Sequence, residues 1–132
     1  MRTSPSHLLK SAYTVCAVLV LWTGGAWPAP PETAAREVEH LLGYLGASGC
    51  EFFRNGKWYP SGKAREHLRK KYEYLVKKDL VASAEQFIER AAAESSQSRK
   101  PYRVRCGGKE TPSAAWLSEE LRRYREGATR QR

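Results

Sequence analysis

The stretch Glu51–Tyr59, EFFRNGKWY, constrains the fold more than any other part of the chain. Asn-Gly is the dipeptide whose two residues both readily take positive φ, and here it stands between aromatic residues that favour extended backbone. The pattern predicts a tight β-hairpin. Because successive strand side chains point to opposite faces, one of Phe52 and Phe53, and one of Trp58 and Tyr59, must leave the core side. That second pair either covers the far face of a sheet or offers flat rings to a sugar or peptide.

A cysteine precedes the hairpin, and another ends the alternating stretch PYRVRC, in which Tyr102, Val104 and Cys106 face one way and Arg103 and Arg105 the other. The third cysteine, Cys16, lies within an apolar run, AYTVCAVLVLW, that follows Arg2 and Lys10. The run is short for a bilayer span and is followed by small residues in TGGA, so residues 1–26 read as a secretory signal peptide. Export places Cys50 and Cys106 in an oxidising compartment, where two cysteines without finger-like histidine spacing or a Cys-x-x-Cys motif read as one structural disulfide. Such a bridge sets the PYRVRC strand beside the hairpin, giving a three-stranded antiparallel sheet.

Helical spacing surrounds these strands. Val38, Leu41, Leu42 and Leu45 share a face before Gly46 and Gly49 end the helix, and Ala64, Leu68, Tyr72, Leu75 and Val76 form a stripe in a helix that Ser61 caps. SAEQ, Ser83 to Gln86, is a capping box that opens a third helix with Phe87, Ile88, Ala91 and Ala92 inward. GGKE reads as a turn, and Thr111-Pro112 opens a fourth helix carrying Trp116, Leu117, Leu121 and Tyr124. The expectation is an α+β fold, about four helices on a small sheet, as a single domain over residues 27–126 with a disordered basic tail at 127–132. No internal repeat is evident.

The formal net charge is +9, and removing residues 1–26 takes away only Arg2 and Lys10. An exported basic chain without a helix–turn–helix, zinc finger or RNA-binding aromatic motif is a poor nucleic-acid binder. Anionic envelope polymer, lipid headgroups or an acidic protein suit it better. Lys63, Lys70 and Lys77 recur along one helix face, though Glu66 and Glu73 stand four residues before Lys70 and Lys77, at ion-pair spacing. His67 and Lys71 are i, i+4 neighbours, and a lysine beside a histidine lowers its proton affinity. This allows a general base with a serine of the 95–98 loop as nucleophile, a hydrolase or transferase reading. No Ser-x-x-Lys, nucleophile elbow, zinc motif or phosphate-cradling glycine loop accompanies it, so no cofactor or metal is expected and binding is the leading function.

Arg54-Asn55-Gly56, His67-Leu68 with Lys71, Ala84-Glu85 with Phe87-Ile88, and Ser95-Ser96 with Ser98, Pro101, Tyr102 and Val104 occur in this order between Glu32 and Tyr124. In this string the chain resembles a family of short exported bacterial proteins of unknown function that includes the enterobacterial protein YfeK. The resemblance implies export, to the periplasm of a Gram-negative bacterium, and a single domain. It implies glycine as the usual residue where Arg99 stands, and it supplies no reaction, ligand or site. The candidate contacts from the residues themselves are Arg54, Asn55, Trp58, His67, Lys71, Ser96, Ser98 and Lys100, with Cys50 and Cys106 as the disulfide.

Overall fold

In the computed structural model, residue 3 and residues 30–132 are described; the expected signal peptide at 1–26 lies outside the described residues. Helix α1 (Glu32–Ala47) starts directly after Pro31 and buries Val38, Leu41, Leu42 and Leu45 completely. Its end is fixed by Ser48, whose hydroxyl donates to the Leu45 carbonyl at 2.7 Å, and by Gly49 at φ 65°, where a side chain would be strained. The chain then enters β1 (Glu51–Arg54) and β2 (Lys57–Pro60). Asn55 and Gly56, at φ 48° and 83°, make the tight turn between them. Ser61 does not cap α2 (Ser61–Lys77) as expected. Its hydroxyl donates instead to the Gly46 carbonyl, 3.1 Å away, tying the start of α2 to the end of α1.

The capping box forms, with one shift of partner. Ser83 Oγ accepts from the Gln86 N–H at 3.1 Å, while the Gln86 side chain accepts from the Ala82 N–H rather than from that of Ser83. Helix α3 (Ala84–Phe87) widens at once into a π-helical turn, Ile88–Ala92, and the loop that follows is closed by a bridge between Glu94 and Pro101. Strand β3 (Arg103–Cys106) pairs with β1, and the Cys50–Cys106 disulfide joins them with Cα atoms 4.7 Å apart.

The sheet has four strands, not three. Gly107 and Gly108, at φ 56° and 81°, repeat the turn geometry of Asn55-Gly56 and send the chain into β4 (Lys109–Pro112), so GGKE begins a second hairpin. Lys, Glu and Pro are poor strand formers, which hid this strand; its place at the sheet edge, in the antiparallel order β2-β1-β3-β4, is where proline is tolerated. Helix α4 (Ser113–Arg130) follows and continues through residues 127–130 of the expected disordered tail. Those residues are helical but exposed.

Two copies of one αββα unit make up this fold. Gly56, Lys57, Pro60 and Ser61 recur in order and spacing as Gly108, Lys109, Pro112 and Ser113, each set running from hairpin turn through edge strand into a helix. The buried positions of α1, namely Ala34, Glu37, Val38, Leu41 and Leu42, match Ala84, Phe87, Ile88, Ala91 and Ala92 in spacing. Val104, the counterpart of Phe52, is also its partner across the β1–β3 ladder, so a pseudo-two-fold axis passes between them. The expectation of no internal repeat is thereby corrected: the two halves share element order and these spaced Gly-Lys and Pro-Ser pairs but little other side-chain identity, so the repeat shows only once the elements are aligned.

The sheet's two faces settle the fate of the aromatic hairpin. Phe52, Tyr59, Val104 and Thr111 lie in one register row on the helix-covered face, where Phe52 meets Trp116 edge to face at 5.6 Å. Phe53 and Trp58 share the opposite face and pack together at 5.2 Å, and the Arg105 guanidinium lies 4.0 Å above the Trp58 ring. Arg105 therefore stacks on one face of the ring that the sequence offered as a stacking platform.

Candidate functional site

The site begins at the end of β1. Arg54, one residue before the turn, points to the helix side of the sheet, where α2 presents His67 and Lys71 one turn apart and the segment before β3 contributes Tyr102. The Arg54 Nη1 donates to His67 Nδ1 at 2.5 Å, and His67 Nε2 lies 3.0 Å from the Tyr102 hydroxyl oxygen. A guanidinium can only donate, so Nδ1 is the acceptor and the neutral ring carries its proton on Nε2, which donates to Tyr102. Lys71 Nζ donates to the Glu94 carbonyl at 3.0 Å and to the Tyr102 hydroxyl at 3.4 Å. The Tyr102 oxygen thus accepts twice, and its own hydrogen is left to donate.

Electrostatics follow from that crowding. Burial, then Arg54, then Lys71 and Lys70 lower the His67 pKa to about 4, so the ring is neutral near pH 7. The lowering expected from Lys71 is present, but burial and Arg54 outweigh it. Lys71 is itself pulled down to about 8, chiefly by burial, with Glu94 opposing and Arg54 adding to the effect. Burial pushes the Tyr102 hydroxyl up. Since His67 binds its proton less readily folded than unfolded, stability falls as pH drops from about 6.5 toward about 4. Chemical denaturation at stepped pH should show this decline, and His67→Asn should flatten it; equal slopes would show that His67 is not its source.

A cleft of about 230 Å3 opens beside this cluster, lined by Phe52, Arg54, Tyr59, Lys63, Ala64 and His67 among others. A neighbouring groove shares His67 and Lys70 with it and adds Lys71, Tyr74, Arg90 and Ser96. The expected ion pairs Glu66–Lys70 and Glu73–Lys77 do not form: Glu66 turns to Lys63 at 3.3 Å, and Lys70 has no carboxylate partner among the described residues. Lys63 and Lys70, read from sequence as a solvated row, are therefore cleft-rim residues.

Of the sequence-based candidates, Arg54, His67 and Lys71 come together. Asn55, next to Arg54 in the chain, lines neither the cleft nor the groove; its side-chain carbonyl accepts from Ser98 Oγ at 2.6 Å and ties the hairpin tip to the 95–100 loop. Ser96 shares the groove with His67 without a hydrogen bond to it, and Lys100 is exposed on the loop. Trp58 lies on the other face of the sheet. Among the described residues no serine reaches His67, whose two nitrogens are taken by Arg54 and Tyr102, while Ser95 accepts from the Gln97 and Ser98 N–H groups. The arrangement that the enzyme reading requires is not assembled. Tyr102 and Tyr59 were missed as site residues because alternation marks both only as strand positions.

Compared with known protein families, residues 32–125 match DUF5329, a family of unknown function. The chain belongs to this family. The DUF5329 match runs from the start of α1 into α4, so it takes in both αββα units and every residue of the cleft. Searches of curated proteins and of solved structures find no match. Arg99, where the resemblance expects glycine, sits at φ 59° in the loop beside the site. A non-glycine residue there costs about 1–2 kcal/mol, partly offset by the chain entropy that glycine loses on folding. Arg99→Gly should therefore raise the unfolding free energy by about 0.5–1 kcal/mol, as read by urea denaturation; a loss would show that the exposed Arg99–Glu94 pair matters more.

Proposed function

We propose that this chain is exported to the periplasm and works by binding the anionic part of an envelope component in the cleft between the first hairpin and α2. One observation carries the reading: Arg54, Lys70 and Lys71 converge with the Tyr102 hydroxyl around a neutral histidine, and no carboxylate pairs with any of them among the described residues. Glu66 also lines the cleft but is turned to Lys63, so Arg54, Lys70 and Lys71 are left to be stabilised by an external anion, and partial burial strengthens each bond it makes. The positive charge of the whole chain adds long-range attraction.

Export and binding are tested separately. Cell fractionation should recover the chain from the periplasm with an N-terminus near Trp27; recovery of uncleaved chain from the cytoplasm would refute export. For binding, a photocrosslinker placed at Lys63 on the rim should capture an anionic envelope component in cells. Arg54→Gln and Lys71→Gln should each abolish that adduct, and Trp58→Ala, on the opposite face, should leave it unchanged. Adducts that persist in the Arg54 and Lys71 variants would overturn the reading.

A further inference from the structure

The cleft offers more than charge. Phe52, the Tyr59 ring, Ala64 and Leu68 give it an apolar part; Arg54, Lys63 and Lys70 line it as cations with the Glu66 carboxylate among them, and Lys71 stands in the neighbouring groove, across His67 and Lys70, which line both. The Arg54 guanidinium lies 4.7 Å over the Tyr59 ring and so sits at the junction of the two regions. A simple anion would leave the apolar part unused.

The donors also differ in kind and direction. Arg54 brings a planar fork from the sheet, Lys71 an ammonium from α2, and Tyr102 a hydroxyl hydrogen from the segment before β3. A carboxylate presents two coplanar oxygens, whereas a phosphate monoester presents three around a tetrahedral centre and carries up to two negative charges. Three donors from separate elements, with Lys70 close by, fit the second shape and charge.

Building on the anion-binding reading above, we infer that the cleft takes a phosphate monoester attached to a ring: the phosphate bonded by Arg54, Tyr102 and Lys71, the ring lying against Phe52, Tyr59, Ala64 and Leu68. His67 holds the Arg54 fork and the Tyr102 hydroxyl in place without adding charge of its own. It is a positioning residue.

Calorimetric titration of the exported domain with phenyl phosphate, inorganic phosphate, benzoate and benzyl alcohol tests each part. Phenyl phosphate should bind about tenfold or more tighter than any of the other three, the worth of one partly buried ring. Ala64→Phe, which fills the apolar side, should bring phenyl phosphate down to the affinity of inorganic phosphate, and Tyr59→Ala should lower it as well in case the larger side chain disturbs α2. If phenyl phosphate binds no better than inorganic phosphate, the ring site is refuted and the anion site stands. Benzoate binding as tightly as phenyl phosphate would refute the phosphate preference. No binding of any anion would overturn both this inference and the reading it rests on.

Discussion

Replacing Cys50 and Cys106 together by serine should lower the unfolding free energy by about 4 kcal/mol, the chain-entropy value for a loop of this length, and the melting temperature by about 20 °C. The bridge spans 56 residues and joins the two αββα units across the central ladder, so without it the unfolded chain recovers freedom over nearly half its length. Thermal unfolding of the oxidised protein and of the double variant measures the difference. A loss below about 1 kcal/mol would mean that the β1–β3 pairing and the shared core already restrict the unfolded ensemble.

Phe87→Ala should cost about 3–5 kcal/mol, the range for emptying a packed aromatic site. Phe87 has no accessible surface, meets Tyr72 edge to face at 5.6 Å, and stands immediately before the π-helical turn. Its counterpart in the first unit is Glu37, a nearly buried carboxylate held by the Arg125 guanidinium at 2.8 and 2.9 Å. One repeat thus fills this position with an aromatic ring and the other with an ion pair. Denaturant unfolding of Phe87→Ala checks the figure, and a cost near 1 kcal/mol would show that the π-helical turn collapses into the cavity.

The elements whose order follows from side-chain periodicity were readable from the chain. Asn55-Gly56 announced its hairpin because both turn residues need positive φ, and the Leu68–Tyr72–Leu75 stripe announced α2. Strand β4 was not legible, since Lys109, Glu110 and Pro112 owe their extended form to pairing with β3 rather than to local preference. The site was legible in part. His67 and Lys71 are neighbours along one helix, so their association is local; Arg54 and Tyr102 join them only through the register of β1 against β3, which no local pattern encodes. For Trp58, alternation tells that the ring faces outward but not that Arg105, on the same outer face, lies across it.

The central ladder has two unlike ends. Continuing its register one step past Glu51 and Arg105 reaches Cys50 and Cys106, and one step past Phe53 and Arg103 reaches Arg54 and Tyr102. Under the pseudo-two-fold axis these two pairs are equivalent places, so a covalent bond stands at one and a chain of hydrogen bonds through His67 at the other. The two hairpins are riveted where they cannot separate and only latched where they can. Any splaying between the halves is thereby directed to the latched end, and an anion bonding Arg54 and Tyr102 at once would act there as a reversible second rivet.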